Sequence, residues 1–367
     1  MPKVSVILTS YNHAQFIGEA IQSVLDQTER DFELIIWDDA STDNSWEIIS
    51  EFKDKRILAF RNNRQMRGVW GLNQAISKIV SAPFIAIHHS DDVWLPNKLD
   101  VQLHYYTRRP EIGALFTRAS IIDEFGIPLP IDTSIFQKIF CQSNRTQYEW
   151  VYFFLTQGNC LCHPTVMVPT KIYKDIGGYP YGLGQLGDLY TWTKIVFSYP
   201  IHILDRELVL YRKLNNDKNT SAPTKQNDTR LKNEFYFFME LFTGDLPLEL
   251  LHYLNDNLYS PSPSFGRLNE EEDVVVSKFL FYMALTQKNF LTVSSLCGIN
   301  MLFKLIQNPT HAKILQEKCN FSYLDFIKMT GTHNFYSTEF SKKAAKPYSI
   351  SSEFKKYLLA IYHSFFK

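Results

Sequence analysis

The sequence predicts an α/β domain, with a mostly parallel central sheet flanked by helices, followed by a C-terminal all-helical region. Three observations predict it. Short β-rich runs alternate with helix-spaced apolar stripes from Met1 to about Ser120. A polar stretch from Asn215 to Asp228 then reads as a linker. Beyond it every apolar run has helical length and spacing. The 367 residues exceed one ordinary domain, and the boundary is placed to give domains 1–222 and 223–367.

Taken in order, Val4 to Leu8, Glu33 to Trp37, Ile57 to Phe60, Phe84 to Ile87 and Ala114 to Phe116 are compact and rich in branched or aromatic residues, which predicts strands. Phe16, Ile17, Ala20, Ile21, Val24 and Leu25 recur at helical spacing between the first two, and Val69, Leu72, Ala75, Ile76 and Ile79 do so before the Phe84 run. Crossovers of this kind join parallel strands. Residues 123–150 lose the periodicity and carry Gly126, Pro128 and Pro130, the signature of a long loop. Strand-like runs resume at Leu161 to Val168, Ile201 to Leu204 and Leu208 to Tyr211. Helices are expected at Leu231 to Phe242, Val274 to Thr286, Phe290 to Ile306 and Phe354 to Phe366.

Composition excludes several classes. The 38 Lys+Arg balance 38 Asp+Glu, so the broad basic field that nucleic acid would demand is absent. No apolar run reaches the roughly 20 residues of a bilayer span, and the opening reads as a strand rather than a leader, so a cytoplasmic protein is expected. Five cysteines argue against a disulfide framework, and Cys160 and Cys162 read best as two thiols on one face of a strand. Dinucleotide, P-loop and nucleophile-elbow motifs are missing.

In an open α/β sheet ligands bind beyond the carboxyl ends of the strands. Two acid pairs fall there, Asp38-Asp39 after the second strand and Asp91-Asp92 after the fourth. Adjacent acids repel and need a cation, donors or solvent. Each pair alone also reads as a solvated turn or a helix cap, the more so with Ser41-Thr42-Asp43 following the first. Two pairs on one sheet favour a site for a hard divalent ion and an oxygen-rich ligand. His88 and His89 precede the second pair, and strand alternation sends one inward and one outward without assigning either a role.

The blocks VSVILTSYNHAQFIGEAIQSVLDQT, FELIIWDDASTDNS and Gly68 through Asn73 to HHSDDVWLPNKL together resemble the N-terminal half of the family 2 inverting glycosyltransferases of GT-A fold. The resemblance covers roughly residues 3–221 and leaves the helical tail uncovered. It implies a nucleotide-diphospho-sugar donor, UDP-linked, a Mn²⁺ or Mg²⁺ cofactor, and a glycan, lipid-linked or protein acceptor. Transferred by motif, Thr9 and Tyr11 fall at the nucleotide-base wall, Asp39 at the acid accepting the base N–H, Asp91 near the ribose or diphosphate, and Asp92 at the direct metal ligand. Ser90 stands where the first acid of the D-x-D-like motif is expected. Asp188, in Gly187-Asp188-Leu189-Tyr190-Thr191-Trp192, matches the catalytic base, with Gly187 replacing the usual Glu. His163 reads either as a metal or diphosphate contact or as a packing histidine, and Arg67 and Arg212 either as phosphate partners or as salt-bridge residues.

The implied activity is hexosyl transfer with inversion in cell-surface polysaccharide or glycoconjugate synthesis. The alternatives are a nucleotide-sugar-binding domain without turnover that serves as an assembly module, and a nucleotidyltransferase, whose Gly-rich first loop is missing. The tail is expected to contact acceptor, partner or a second copy. Its final segment, amphipathic with flanking lysines, would give peripheral contact with the inner face of a membrane.

Overall fold

A computed structural model describes residues 1–130, 139–214, 224–259, 263–287 and 292–332. The chain divides into two compact units, Met1–Glu234 and Phe235–Lys367.

The first unit is built on strands β1 (Val4–Ser10), β2 (Phe32–Asp38), β3 (Ile57–Arg61), β4 (Phe84–His89), β5 (Val93–Trp94), β6 (Ala114–Ile122), β7 (Met167–Pro169) and β8 (Ile201–Arg212). They form one sheet in the order β3-β2-β1-β4-β7-β6-β8-β5. The β3-β2-β1-β4 half is parallel throughout, as the alternation predicts. Beyond β4 the sheet is mixed: β7 runs antiparallel to β4 and β6, β8 parallel to β6, and β5 antiparallel to β8. Val4, Val6, Ile7 and Leu8 are fully buried, which explains why β1 is an unbroken apolar run rather than an alternating one. Helix α1 (Ile17–Leu25) lays Ile17, Ala20, Ile21 and Val24 into this core.

Helices α2 (Ser45–Glu51), α3 (Gly68–Gln74, extended by a π turn over Ala75–Ile79) and α4 (Lys98–Arg108) complete the crossovers. The expected long loop at 123–150 is irregular over 123–130 and 141–146, with 131–138 outside the described residues, and it ends earlier than expected where α5 (Gln147–Gln157) begins. A Thr146/Glu149 capping box starts that helix, and Trp150, Val151, Phe154 and Leu155 bury one face. Leu161 to Val168 is not one strand. Cys160 and Cys162 sit buried in a turn, followed by a 3₁₀ turn at His163–Thr165 containing Pro164 and then β7. Ile201 to Leu204 and Leu208 to Tyr211 are one strand whose register against β6 shifts near Arg118, which absorbs the polar interruption. Helices α6 (Thr170–Asp175) and α7 (Gly187–Val196) pack before β8.

Helix α8 (Lys225–Met239) runs across the division between the units. The second unit is helical, with α9 (Leu248–Leu258), α10 (Glu270–Leu285), α11 (Thr292–Ile306), α12 (Pro309–Cys319) and α13 (Tyr323–Thr330). Side chains of Asn269, Asn308 and Ser322 cap three of them. The helix expected at Phe354 to Phe366 lies outside the described residues. Among the described residues no helix is long and apolar enough to cross a membrane.

Candidate active site

Parallel register brings three strand exits to one edge of the sheet. Thr9 on β1 pairs with Trp37 on β2 and with His89 on β4, and Ser10 pairs with Asp38. The loops after these strands therefore share a single crevice, where the sequence places its acids.

On the β1/β2 side the loops are interlocked. Asn12 N–H donates to Ser41 Oγ at 2.9 Å, His13 N–H to Ser45 Oγ at 2.9 Å, and Ala14 N–H to Asp43 Oδ2 at 3.0 Å. Asp38 is fully buried and accepts from the Ser41 N–H, so it shapes the turn. Asp39, 4% exposed, accepts from Asn62 Nδ2, Met66 N–H and Arg67 N–H, each at 2.7 Å. Three protein donors leave about one of its four lone-pair sites for a ligand. Arg67 is held at φ 72° and ψ 154°, a conformation that favours glycine, while its side chain is exposed. The Thr9 hydroxyl lies beside Gly68, and the Tyr11 ring is 37% exposed at the crevice mouth.

The β4 side carries the acid pair. Asp92 is 1% exposed, and its Oδ1 accepts from the Arg212 N–H at 2.8 Å. Its Oδ2 is buried with no hydrogen-bond partner, the nearest basic group being His89 Nδ1 at 3.5 Å. His89, Asp91 and Asp92 each offer a ligand atom, and the three lie within 4.8 Å of one another. Burial and the Asp92 charge raise the Asp91 carboxyl above its usual range. Burial opposes protonation of His89, but Asp92, Asp91 and Asp188 outweigh it and raise its pKa. An orphaned buried carboxylate oxygen among two more donors of carboxylate and imidazole type fits a divalent cation.

His163 stands behind that group. Its Nδ1 is 3.2 Å from His89 Nε2, and its Nε2 is 2.8 Å from the Tyr179 hydroxyl, so both ring nitrogens are engaged within the protein. His89, to which strand alternation gave no role, is the histidine that joins the acid pair. Alternation holds as expected: β4 ends in His89, whose side chain faces away from the fully buried His88.

Asp188 begins helix α7. Asn159 Nδ2 donates to its Oδ2 at 2.6 Å and the Leu189 N–H to its Oδ1 at 2.7 Å. Burial pushes its carboxyl up to about 6, against the partial relief of the Leu189 N–H, His89 and Asn159. Such a group is a stronger base than an exposed Asp and is still mostly ionised at neutral pH. Nothing in the sequence marked Asn159 as its partner, because the two come from separate segments.

Arg212 is engaged by bonds within the protein. At 2% exposure it donates from Nε to the Asp91 carbonyl at 2.8 Å and from Nη2 to Glu19 at 2.6 Å, and its guanidinium lies over Phe16. It thus lashes the Asp91-Asp92 turn to β8 and α1.

Comparison with known proteins gives a consistent picture. The profile of "Glycosyl transferase family 2" matches residues 5–167. An uncharacterized glycosyltransferase of Methanocaldococcus jannaschii is 31% identical over 230 residues, 61% of this chain and 76% of that protein. The Escherichia coli UDP-Glc:α-D-GlcNAc-diphosphoundecaprenol β-1,3-glucosyltransferase WfgD is 41% identical over 124 residues, 34% of this chain and 48% of that protein. Its counterpart WfaP is 39% identical over 105 residues, 29% of this chain, of which this chain spans 41%. Among solved structures, residues 1–349 of S. aureus TarS in complex with UDP-GlcNAc superpose with a TM-score of 0.56 at 18% identity, covering 95% of this chain and all of that one.

Proposed function

This chain belongs to glycosyltransferase family 2, and from that premise we propose that it moves a sugar from a UDP-sugar to a hydroxyl acceptor, inverting the anomeric centre with divalent metal assistance. The observation that carries the proposal is the buried, unpartnered Asp92 Oδ2 grouped with His89 and Asp91 at the strand exits, together with the raised Asp188 carboxyl.

In this reading His89, Asp91 and Asp92 hold the ion. Bound there, a divalent cation would act as a Lewis acid toward the departing diphosphate. The imidazole in the set favours Mn²⁺ over Mg²⁺. Thr9 and Tyr11 wall the base, and a base N–H takes the remaining acceptor site of Asp39. The Arg67 side chain stands exposed at the same loop as the nearest candidate to meet phosphate. Asp188 accepts the proton of the attacking hydroxyl, with Asn159 holding the carboxylate in orientation. Direct displacement then requires no covalent intermediate.

The E. coli relatives carry a lipid-diphosphate acceptor in their names, and we extend that class, without a particular sugar, to this chain. The helical second unit is proposed to serve the acceptor, a partner or a second copy. The test is UDP binding by calorimetry in Mn²⁺ and in EDTA, followed by anomeric analysis of the transferred sugar. Tight binding only with metal and an inverted product are expected; metal-independent binding or retention would overturn the reading.

A further inference from the structure

Glu234 is 3% exposed, and its carboxylate receives three consecutive backbone N–H groups: Gly184 on Oε1 at 2.7 Å, and Gln185 and Leu186 on Oε2 at 2.8 and 2.9 Å. Successive N–H groups converging on one anion form a nest, and hydrogen bonds to a charged acceptor are the strong ones. Residues 184–186 run directly into Gly187 and Asp188 at the start of α7. Gly184 packs closely under α8: a Cβ there would come within 3.2 Å of Arg230 Cδ and into ordinary contact with Glu234 Oε1. Glu234 itself sits on α8, well past the segment matched by the family profile.

From this arrangement we infer that Glu234 is a positioning residue for the Asp188 base, tying helix α8 to the loop that aims it. The inference rests on the reading of Asp188 as the base. Upstream the segment is anchored at Tyr179, whose N–H and carbonyl both bond the Asn73 side chain; beyond that anchor it carries Tyr181, 60% exposed, and Gly182 at positive φ before it reaches Gly184. Asp188 has Asn159 and the Leu189 N–H to orient its carboxylate locally. The placement of the helix start that carries it is shared between the clamp and the burial of Leu186, Leu189 and Trp192. Misplacement of a reacting group by about 1 Å costs on the order of 100-fold in rate.

The experiment compares the full chain with Glu234→Gln, Glu234→Asp and Asp188→Asn. Glu234→Gln keeps the shape and removes one acceptor oxygen, while Glu234→Asp keeps the charge and shortens the reach. Three readouts are taken: UDP release from UDP-glucose and UDP-N-acetylglucosamine in Mn²⁺, the Kd of UDP in Mn²⁺, and the urea midpoint. The expected result for both Glu234 variants is a fall in kcat of about 10- to 100-fold with the UDP Kd within about twofold of the parent. A merely structural role would instead move the urea midpoint and Kd together. If Glu234→Gln does not fold, Glu234→Asp decides by the same criteria; if neither folds, the group is structural and the inference is overturned. Parent-like kcat in a folded Glu234 variant, with Asp188→Asn inactive, overturns this inference alone. Parent-like turnover in Asp188→Asn overturns the base assignment beneath it.

Discussion

At the scale of single residues the site pairs two carboxylates with opposite needs. Asp92 presents a buried oxygen without a hydrogen-bond donor, suited to a cation, whereas Asp188 has its donors and a raised pKa, suited to taking up a proton. Asp92→Asn should therefore abolish the metal-dependent rise in Tm produced by UDP, and an undiminished rise would remove Asp92 from the metal site. Asp188→Asn should lower kcat by about 100- to 10,000-fold while leaving the UDP Kd near the parent's, checked by single-turnover assay. The same substitution makes a stability prediction. The folded pKa of about 6 lies above the ordinary 3.8, so the folded state binds the proton more tightly than the unfolded chain. Stability is therefore lost as pH rises between those values, and the full cost stands above about 6, on the order of 1–3 kcal/mol. In EDTA, Asp188→Asn should gain on the parent from pH 4 to pH 8, and a constant difference would show that the carboxyl is unstrained. Asp39 makes a contrasting case. Its three protein bonds mean that Asp39→Ala disorganises residues 62–67 as well as the nucleotide wall.

Elements explain why some of this was legible in the sequence and some was not. The β1, β2 and β4 exits were readable because fully buried parallel strands leave apolar runs, and acid pairs after two such runs favour a ligand site, even though one of the acids, Asp38, shapes its own turn. Thr9, Asp39, Asp91 and Asp92 consequently fall at one sheet edge. Three contributions were hidden because they depend on partners distant in sequence. Arg212 looks like a phosphate residue until β8, pairing with β5, delivers it to the Asp91-Asp92 turn. His89 is told from His88 by alternation alone, but its meeting with His163 is set by a segment far along the chain. Within the 123–150 loop the start of α5 at Gln147 went unread, because Trp150 and, further on, Phe154 bury against the unit without a wide apolar stripe to announce a helix. Arg212→Met should destabilise the fold by about 1–3 kcal/mol in urea titration, because it takes the donor away from the Asp91, Asp123 and Glu124 carbonyls, while the Glu19 carboxylate, 57% exposed, stays in water. Unchanged stability with weakened UDP binding would return Arg212 to the phosphate role.

For the whole molecule, the question is where the catalytic machinery ends. The sequence suggests a boundary at residue 222, after which the chain should be dispensable for the donor chemistry. Helix α8 complicates that division, because it begins at Lys225 and contributes Glu234 to the first unit before continuing past Met239 into the 3₁₀ turn Glu240–Phe242 of the second. A polar linker followed by an aromatic-rich helix cannot reveal this, since one buried Glu among Leu231, Phe235, Phe237 and Phe238 reads as the wet side of an amphipathic helix. Two truncations separate the possibilities. A chain ending at Thr224 loses the carboxylate that gathers the 184–186 amides and leaves those N–H groups to water, so the segment gives up three charge-assisted bonds. A chain ending at Phe242 keeps that carboxylate and loses the remaining helices of the second unit. The shorter chain should retain UDP binding in Mn²⁺ if it folds, because Asp39, His89, Asp91 and Asp92 are all present, but should release UDP from UDP-sugars at least about tenfold more slowly than the longer one. Equal rates from two folded fragments would place the functional end of the enzyme at the linker, and α8 would then belong with the acceptor-side helices alone.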